Sequence, residues 1–402
     1  MPNVLTGLDG LVEMQFSALR GARIGILANQ ATVDRNLRHA VDLIHERGSS
    51  KVLRLFAPEH GFRGELQDMA SVGDSVDPYT KLPVISLYGS TEESLTPRAE
   101  HFADLDALVV DLPDIGARYY TFAQSLCYAM KTAQQTGTKV IVLDRPNPIG
   151  GALFEGALLM KECRSFCGYA PVPNRHGMTL GELALLMKNG FGTGENAIPP
   201  CSCELEVIPA QGWKREMYID ETGLPWVIPS PNMPTVDTAL VYPGTCLFEA
   251  TTLSEGRGTT RPFETLGAPG IDGVRWAKAA LEQGIPLDGA VLRPLTFMPK
   301  FSKHANQICG GVQLHVLNSK TFQPFRWSLA LIASAAKIFP AQFAWRDAEY
   351  EFVKDVPAID LLYGSSRFRE LVGSRGNLSE IAGELESNEH WFGKARKEFL
   401  LY

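Results

Sequence analysis

Short apolar runs alternate with stretches of helical spacing through the first half of the chain. Arg23–Ala28 (RIGILA), Lys51–Ala57 (KVLRLFA), Leu82–Leu87 (LPVISL), Ala107–Leu112 (ALVVDL), Lys139–Leu143 (KVIVL) and Glu204–Ile208 (ELEVI) read as strands. Between them, residues 36–47, 121–135 and 179–188 carry apolar side chains at three- and four-residue intervals, and the first two stop at Gly48 and Gly137. Near-continuous apolar strands separated by helices predict a parallel sheet covered on both faces, a doubly wound α/β domain. The rhythm then breaks. Pro225, Pro229, Pro231, Pro234 and Pro243 exclude a helix or a central strand there, so the domain boundary is placed here, giving 1–228 and 229–402. Beyond it come a Gly/Thr-rich loop, helices near 274–283, 325–339 and 378–400, and strands near 291–297 and 311–317. This is a smaller α+β domain.

Composition narrows the class. The chain has 402 residues, 45% hydrophobic and 21% charged, with a net charge of −7. That suits a folded globular protein and gives no bulk attraction to nucleic acid or an anionic membrane. No apolar run is long enough to span a bilayer, and the N-terminus lacks the pattern of a secretory signal. A cytoplasmic protein is expected. The seven cysteines lack paired C-x-x-C spacing, which argues against a zinc knuckle and a disulfide scaffold. The chain also lacks G-x-G-x-x-G, G-x-x-x-x-G-K-[ST] and G-x-S-x-G. No cofactor or metal is expected, and nothing specifies an oligomeric state.

In an open parallel sheet the ligand lies beyond the carboxyl ends of the strands. Here those ends deliver Asn29; Glu59, His60 and Arg63; Asp111, Asp114, Arg118 and Tyr119; and Asp144, Arg145 and Asn147. The Glu59-His60-Gly61 turn is the sharpest feature, because a carboxyl leaving a buried strand can serve as a general acid. Asp111, Asp114 and Asp144 would also suit a metal-dependent phosphohydrolase, and two lobes around a cleft would suit a non-catalytic sugar-binding protein. In the second domain, Glu255 and Arg257 stand among glycines, a composition suited to a sugar or a carboxylate.

Several strings occur together and in order: LFAPEHGFRG (55–64), DLPDIGARYYTF (111–122), LDRPNPIGG (143–151), RHGMTLGEL (175–183), PSPNMPT (229–235) and LSEGRGTTRPFETLGAP (253–269). With them the chain resembles the NamZ-type exo-β-N-acetylmuramidases over essentially its whole length. The resemblance implies a Rossmann-like first domain and an active site between the domains. It also implies release of N-acetylmuramic acid from non-reducing ends of peptidoglycan fragments. Glu59 is then the key carboxylate, with His60 beside it. Asn29, Arg63, Asp111, Asp114, Arg118, Tyr119, Asp144, Asn147, His176, Asn232, Glu255 and Arg257 are the expected substrate contacts. Arg63, Arg118, Arg175 and Arg257 form the pool for reading the muramyl carboxylate. The second catalytic group stays open: Glu255, Asp111, Asp114, or the substrate's own acetamido group. Many members carry Ala-Gly-Glu after the P-E-H-G string, where this chain reads QDMASVGD (67–74).

Overall fold

A computed structural model describes residues 4–64 and 74–402; the QDMASVGD departure, apart from Asp74, lies outside them. The first sheet contains β1 (Arg23–Ala28), β2 (Lys51–Ala57), β3 (Ser75–Val76), β4 (Pro83–Ser86), β5 (Ala107–Asp111), β6 (Lys139–Leu143) and β7 (Leu205–Ile208). Its order is β3-β4-β2-β1-β5-β6-β7, and all pairings are parallel except β3 with β4. The sheet is therefore mostly parallel and wound both ways from β1, as the apolar runs predicted.

Period-two alternation explains why both faces are covered. Ile24 and Ile26 of β1, Val109 of β5 and Ile141 of β6 point to one core, under the helices Gly7–Glu13 and Ala40–Arg47. Leu27, Leu108, Val110, Val140 and Val142 point to the other, under the helices Phe122–Thr136 and Leu180–Asn189. That second core runs without a break into the C-terminal half, where Phe248, Trp276, Phe325, Trp327 and Phe368 belong to the same cluster.

The smaller half carries β8 (Thr265–Ala268), β9 (Ala290–Phe297) and β10 (Cys309–Val316) in an antiparallel sheet of order β8-β10-β9. Helix Gly273–Leu281 packs on it, and helix Pro324–Ile338 packs on that helix and on helix Val236–Thr245. One expectation fails. The proline-rich segment does become helical at its end, because Val236–Thr245 is a helix with Pro243 inside it. Thr235 caps it by accepting from the Thr238 amide, and Pro243, near its C-terminal end, forgoes the amide bond to the Ala239 carbonyl. Among the described residues, no helix is long and apolar enough to cross a membrane.

Buried guanidinium groups fasten the two halves. Arg118 donates through Nη1 to the Ala157 and Val172 carbonyls and through Nη2 to those of Leu362 and Tyr363. Arg175 reaches the carbonyls of Ile149 and Phe322 and the Tyr218 hydroxyl. Arg396 holds the carbonyls of His176, Gly177 and Gly151. Beside them Glu155 accepts from the Phe325 amide.

Replacing Arg118 by Met removes a donor from each of those carbonyls, although Asn174 still serves that of Leu362, at ~1–3 kcal/mol for each left unsatisfied. A loss of several kcal/mol in denaturant unfolding is expected, with activity falling only as the protein unfolds. Glu155 gives a pH signature. Burial raises its carboxyl to about 7 despite the attraction of Arg175. The folded state thus keeps a proton that the unfolded chain releases near its ordinary value of 4.5. This contribution is full below pH ~4.5 and is lost as pH rises to ~7. Glu155→Gln should match wild type at pH 4.5 and exceed it at pH 8 by ~3 kcal/mol, at 1.36 kcal/mol per pKa unit. Chemical denaturation at both pH values measures the difference.

Candidate active site

Residues from both halves meet in a pocket lined by Glu59, His60, Tyr119, Thr121, Ser230, Asn232, Glu249, Arg257, Phe263, Tyr350 and Glu351, among others. Glu59 leaves the end of β2, is 7% exposed, and accepts a 2.8 Å hydrogen bond from the Thr121 hydroxyl. The chain then turns through a left-handed His60 (φ 73°). Phe263 (φ 63°) and Glu351 (φ 45°) are left-handed as well, and both line the same pocket. Such residues cost ~1–3 kcal/mol each and persist where the surroundings hold them. Their gathering around one pocket marks it as the place where geometry outranks stability.

Arg257 enters from the second half. Gly256 (φ 82°) and Gly258 (φ 83°) bracket it, and a Cβ on either would meet a backbone carbonyl oxygen, of Thr265 or Phe301, at 2.5 Å. Only glycine allows this tight path. The guanidinium lies 4.8 Å from the Phe263 ring centre and donates to Glu249 at 2.7 Å, while the Tyr350 hydroxyl donates to Glu249 at 2.6 Å. Behind it Glu255 receives Lys303 at 2.9 Å. Burial works to raise the Glu255 carboxyl, but Lys303 and Arg257 pull it below its usual range. Glu255 thus holds Arg257 rather than lining the pocket.

Asn29 sits under the proline-rich segment. Its Nδ2 donates to the Pro229 carbonyl at 3.0 Å, and Gln30 donates to the Ile228 carbonyl at 2.8 Å. This fixes Ser230 and Asn232 at the rim. Tyr119 donates to the Pro243 carbonyl, tying the loop after β5 to the second half.

The other expected contacts stand elsewhere, each with its own partners. Arg63 pairs with Asp77 at 2.8 Å and lies against the Phe62 and Tyr79 rings. Asp111 takes both the Nε and the Nη2 of Arg145. Asp114 accepts from the Gly116 amide at 2.7 Å and lies 3.5 Å from His176, whose Nδ1 accepts from Met178. Asp144 receives the Thr179 hydroxyl, the Gly181 amide and the Tyr402 hydroxyl, and burial raises it to about 6. Asn147 holds the Met178 carbonyl at 3.0 Å. Arg118 and Arg175 serve the seam. Of the arginine pool, Arg257 reaches the pocket. Asp111, Asp114 and Asp144, held apart by these separate partners, do not converge on one point. Asp114, Arg145, Trp226 and several prolines line a second cavity near the carboxyl ends of β1 and β5.

Sequence reasoning missed Thr121, Glu249, Tyr350 and Glu351. Thr121 lies inside a motif already quoted. Glu249, Tyr350 and Glu351 sit in a short 3-10 turn and a bridge-flanked loop that carry no periodic signal.

The comparisons agree over both halves. Residues 24–237 match the N-terminal domain of exo-β-N-acetylmuramidase NamZ, and residues 240–402 match its C-terminal domain. The peptidoglycan β-N-acetylmuramidase NamZ of Bacillus subtilis is 39% identical over 401 residues, covering 100% of this chain and 92% of that protein. Two crystal structures of DUF1343 family proteins from Bacteroides fragilis share the architecture. One superposes with a TM-score of 0.88 at 30% identity over 100% of both chains. The other has a TM-score of 0.72 at 27% identity, covering 100% of this chain and 99% of that one. The chain belongs to the NamZ family of glycosidases.

Proposed function

We propose that this glycosidase removes N-acetylmuramic acid units one at a time from the non-reducing ends of peptidoglycan fragments, with Glu59 as the proton donor. The observation that carries the reading is the placement of Glu59: buried, fixed by Thr121, and in one pocket with Arg257 from the other half. A carboxyl so placed can protonate the glycosidic oxygen as its bond to the anomeric carbon breaks. The name of the Bacillus subtilis relative supports a peptidoglycan glycan as the substrate.

Muramic acid differs from glucosamine by a lactyl ether bearing a carboxylate. Arg257 is the cation suited to read it, since its planar fork can share itself between Glu249 and an incoming carboxylate. His60 and Asn232, which line the same pocket, are further substrate contacts in this reading.

Glu59→Gln retains shape but has no acid proton to give. Its kcat on a muramyl substrate with a natural sugar leaving group should fall by ~10² or more, with thermal unfolding unchanged. A variant that keeps most of its turnover refutes the role. Arg257→Lys keeps the charge and loses the fork. It should raise KM for a chromogenic muramide by roughly ten- to a hundred-fold, the equivalent of ~1.5–3 kcal/mol for a charge-assisted hydrogen bond. Equal KM values for variant and wild type would remove Arg257 from substrate recognition.

A further inference from the structure

The pocket holds a carboxylate that this reaction has not yet used. Glu249 is engaged by Arg257 and Tyr350, and Glu255 by Lys303. Glu351 is the remaining carboxylate that lines the pocket with Glu59. It is 8% exposed and receives the Tyr88 hydroxyl at 2.9 Å. Tyr88 follows the end of β4 and lies close enough to Glu59 to feel both carboxylate charges. The backbone is left-handed at Glu351 and again at Phe352 (φ 67°), whose ring packs 5.8 Å from that of Tyr88. Contacts from two distant parts of the chain thus hold this carboxylate on a strained turn.

We propose that Glu351 is the second carboxylate of the glycosidase pair, the nucleophile at the anomeric carbon, with Tyr88 as its positioning residue. This rests on the muramidase reading. The Tyr88 hydroxyl donates to one Glu351 oxygen and fixes the direction of the carboxylate, which suits a group that must bond to carbon. Tyr88 remains the donor, because burial and the charges of Glu59 and Glu351 push its hydroxyl well above the usual range. Cys167, the thiol in the pocket, is held protonated by burial and by the charge of Glu351. Tyr88, Cys167 and Tyr350 feel the charge of Glu351, and Glu59, His60, Glu249 and Arg257 line the same pocket.

The step balances as follows. A Glu351 oxygen bonds to C1 while the bond from C1 to the leaving oxygen breaks. That oxygen keeps the electron pair and takes the Glu59 proton. Water then bonds to C1, returns a proton to Glu59, and frees Glu351 as a carboxylate. One water is consumed and the β configuration is retained. Retaining pairs stand ~5–5.5 Å apart.

The test uses the full chain and a 2-deoxy-2-fluoro muramyl fluoride, which forms the covalent intermediate and hydrolyses slowly. Peptide mass spectrometry of the wild-type protein should place the sugar on Glu351, and NMR of ordinary turnover should show the β-anomer first. Glu351→Gln should lose ~10³-fold or more in kcat at an unchanged melting temperature. Tyr88→Phe should move the acid limb of the kcat/KM profile to higher pH, a shift that mere loosening of the fold does not produce. Labelling elsewhere, absence of an adduct, α-anomer first, or an active Glu351→Gln would overturn the assignment while leaving the muramidase reading intact. A wild-type protein inert on every muramide would overturn both.

Discussion

A guanidinium buried among backbone carbonyls is the constraint on which the active pocket depends. Arg118 ends at carbonyls of both halves, and Arg175 does the same beside it. Burial pulls Arg118 down to about 10 and Arg396 to about 9, so both remain cations at neutral pH. A cation there must keep its acceptors, since leaving it unpaired in an apolar core is costly. The two halves therefore meet in one fixed way. The continuous core supports this, because separating the halves would cut one cluster that runs from Leu27 and Val142 to Phe248 and Phe325. A pocket that joins Glu59 from one half to Arg257 from the other needs that fixity, since a shift of 1 Å between reacting groups can cost ~10² in rate.

Polar residues at the strand ends divide into two kinds of work. Asp144 shows the first. It gathers the Thr179 hydroxyl and the Gly181 amide at the start of a helix, and the hydroxyl of Tyr402 at the chain terminus. Asp111 with Arg145, and Asn147 with Met178, hold loops in the same way. Glu59 shows the second. Its loop leaves the strand by a left-handed turn, and its carboxylate is carried into the space between the halves. Delivery to the strand end is common to both kinds. What separates them is where the side chain is held: Asp111 and Asn147 among the loops of the first half, Glu59 in a pocket lined by both halves.

That distinction sets what the sequence could reveal. The strands were legible, because alternation within near-continuous apolar runs is a local property of β1, β5 and β6. So was Glu59, whose short motif places it at a strand end. Arg118 and Arg175 were not separable from Arg257 by sequence. All lie in motif strings, and only the fold shows that carbonyls near Ala157 and Leu362 surround the first. Pro243 misled in the opposite direction, since the buried packing of Val236–Thr245 outweighs the one amide bond that the proline removes. Glu249 and Glu351 gave no signal. They lie far from Glu59 in the chain and reach it through tertiary contacts with Arg257 and Tyr88.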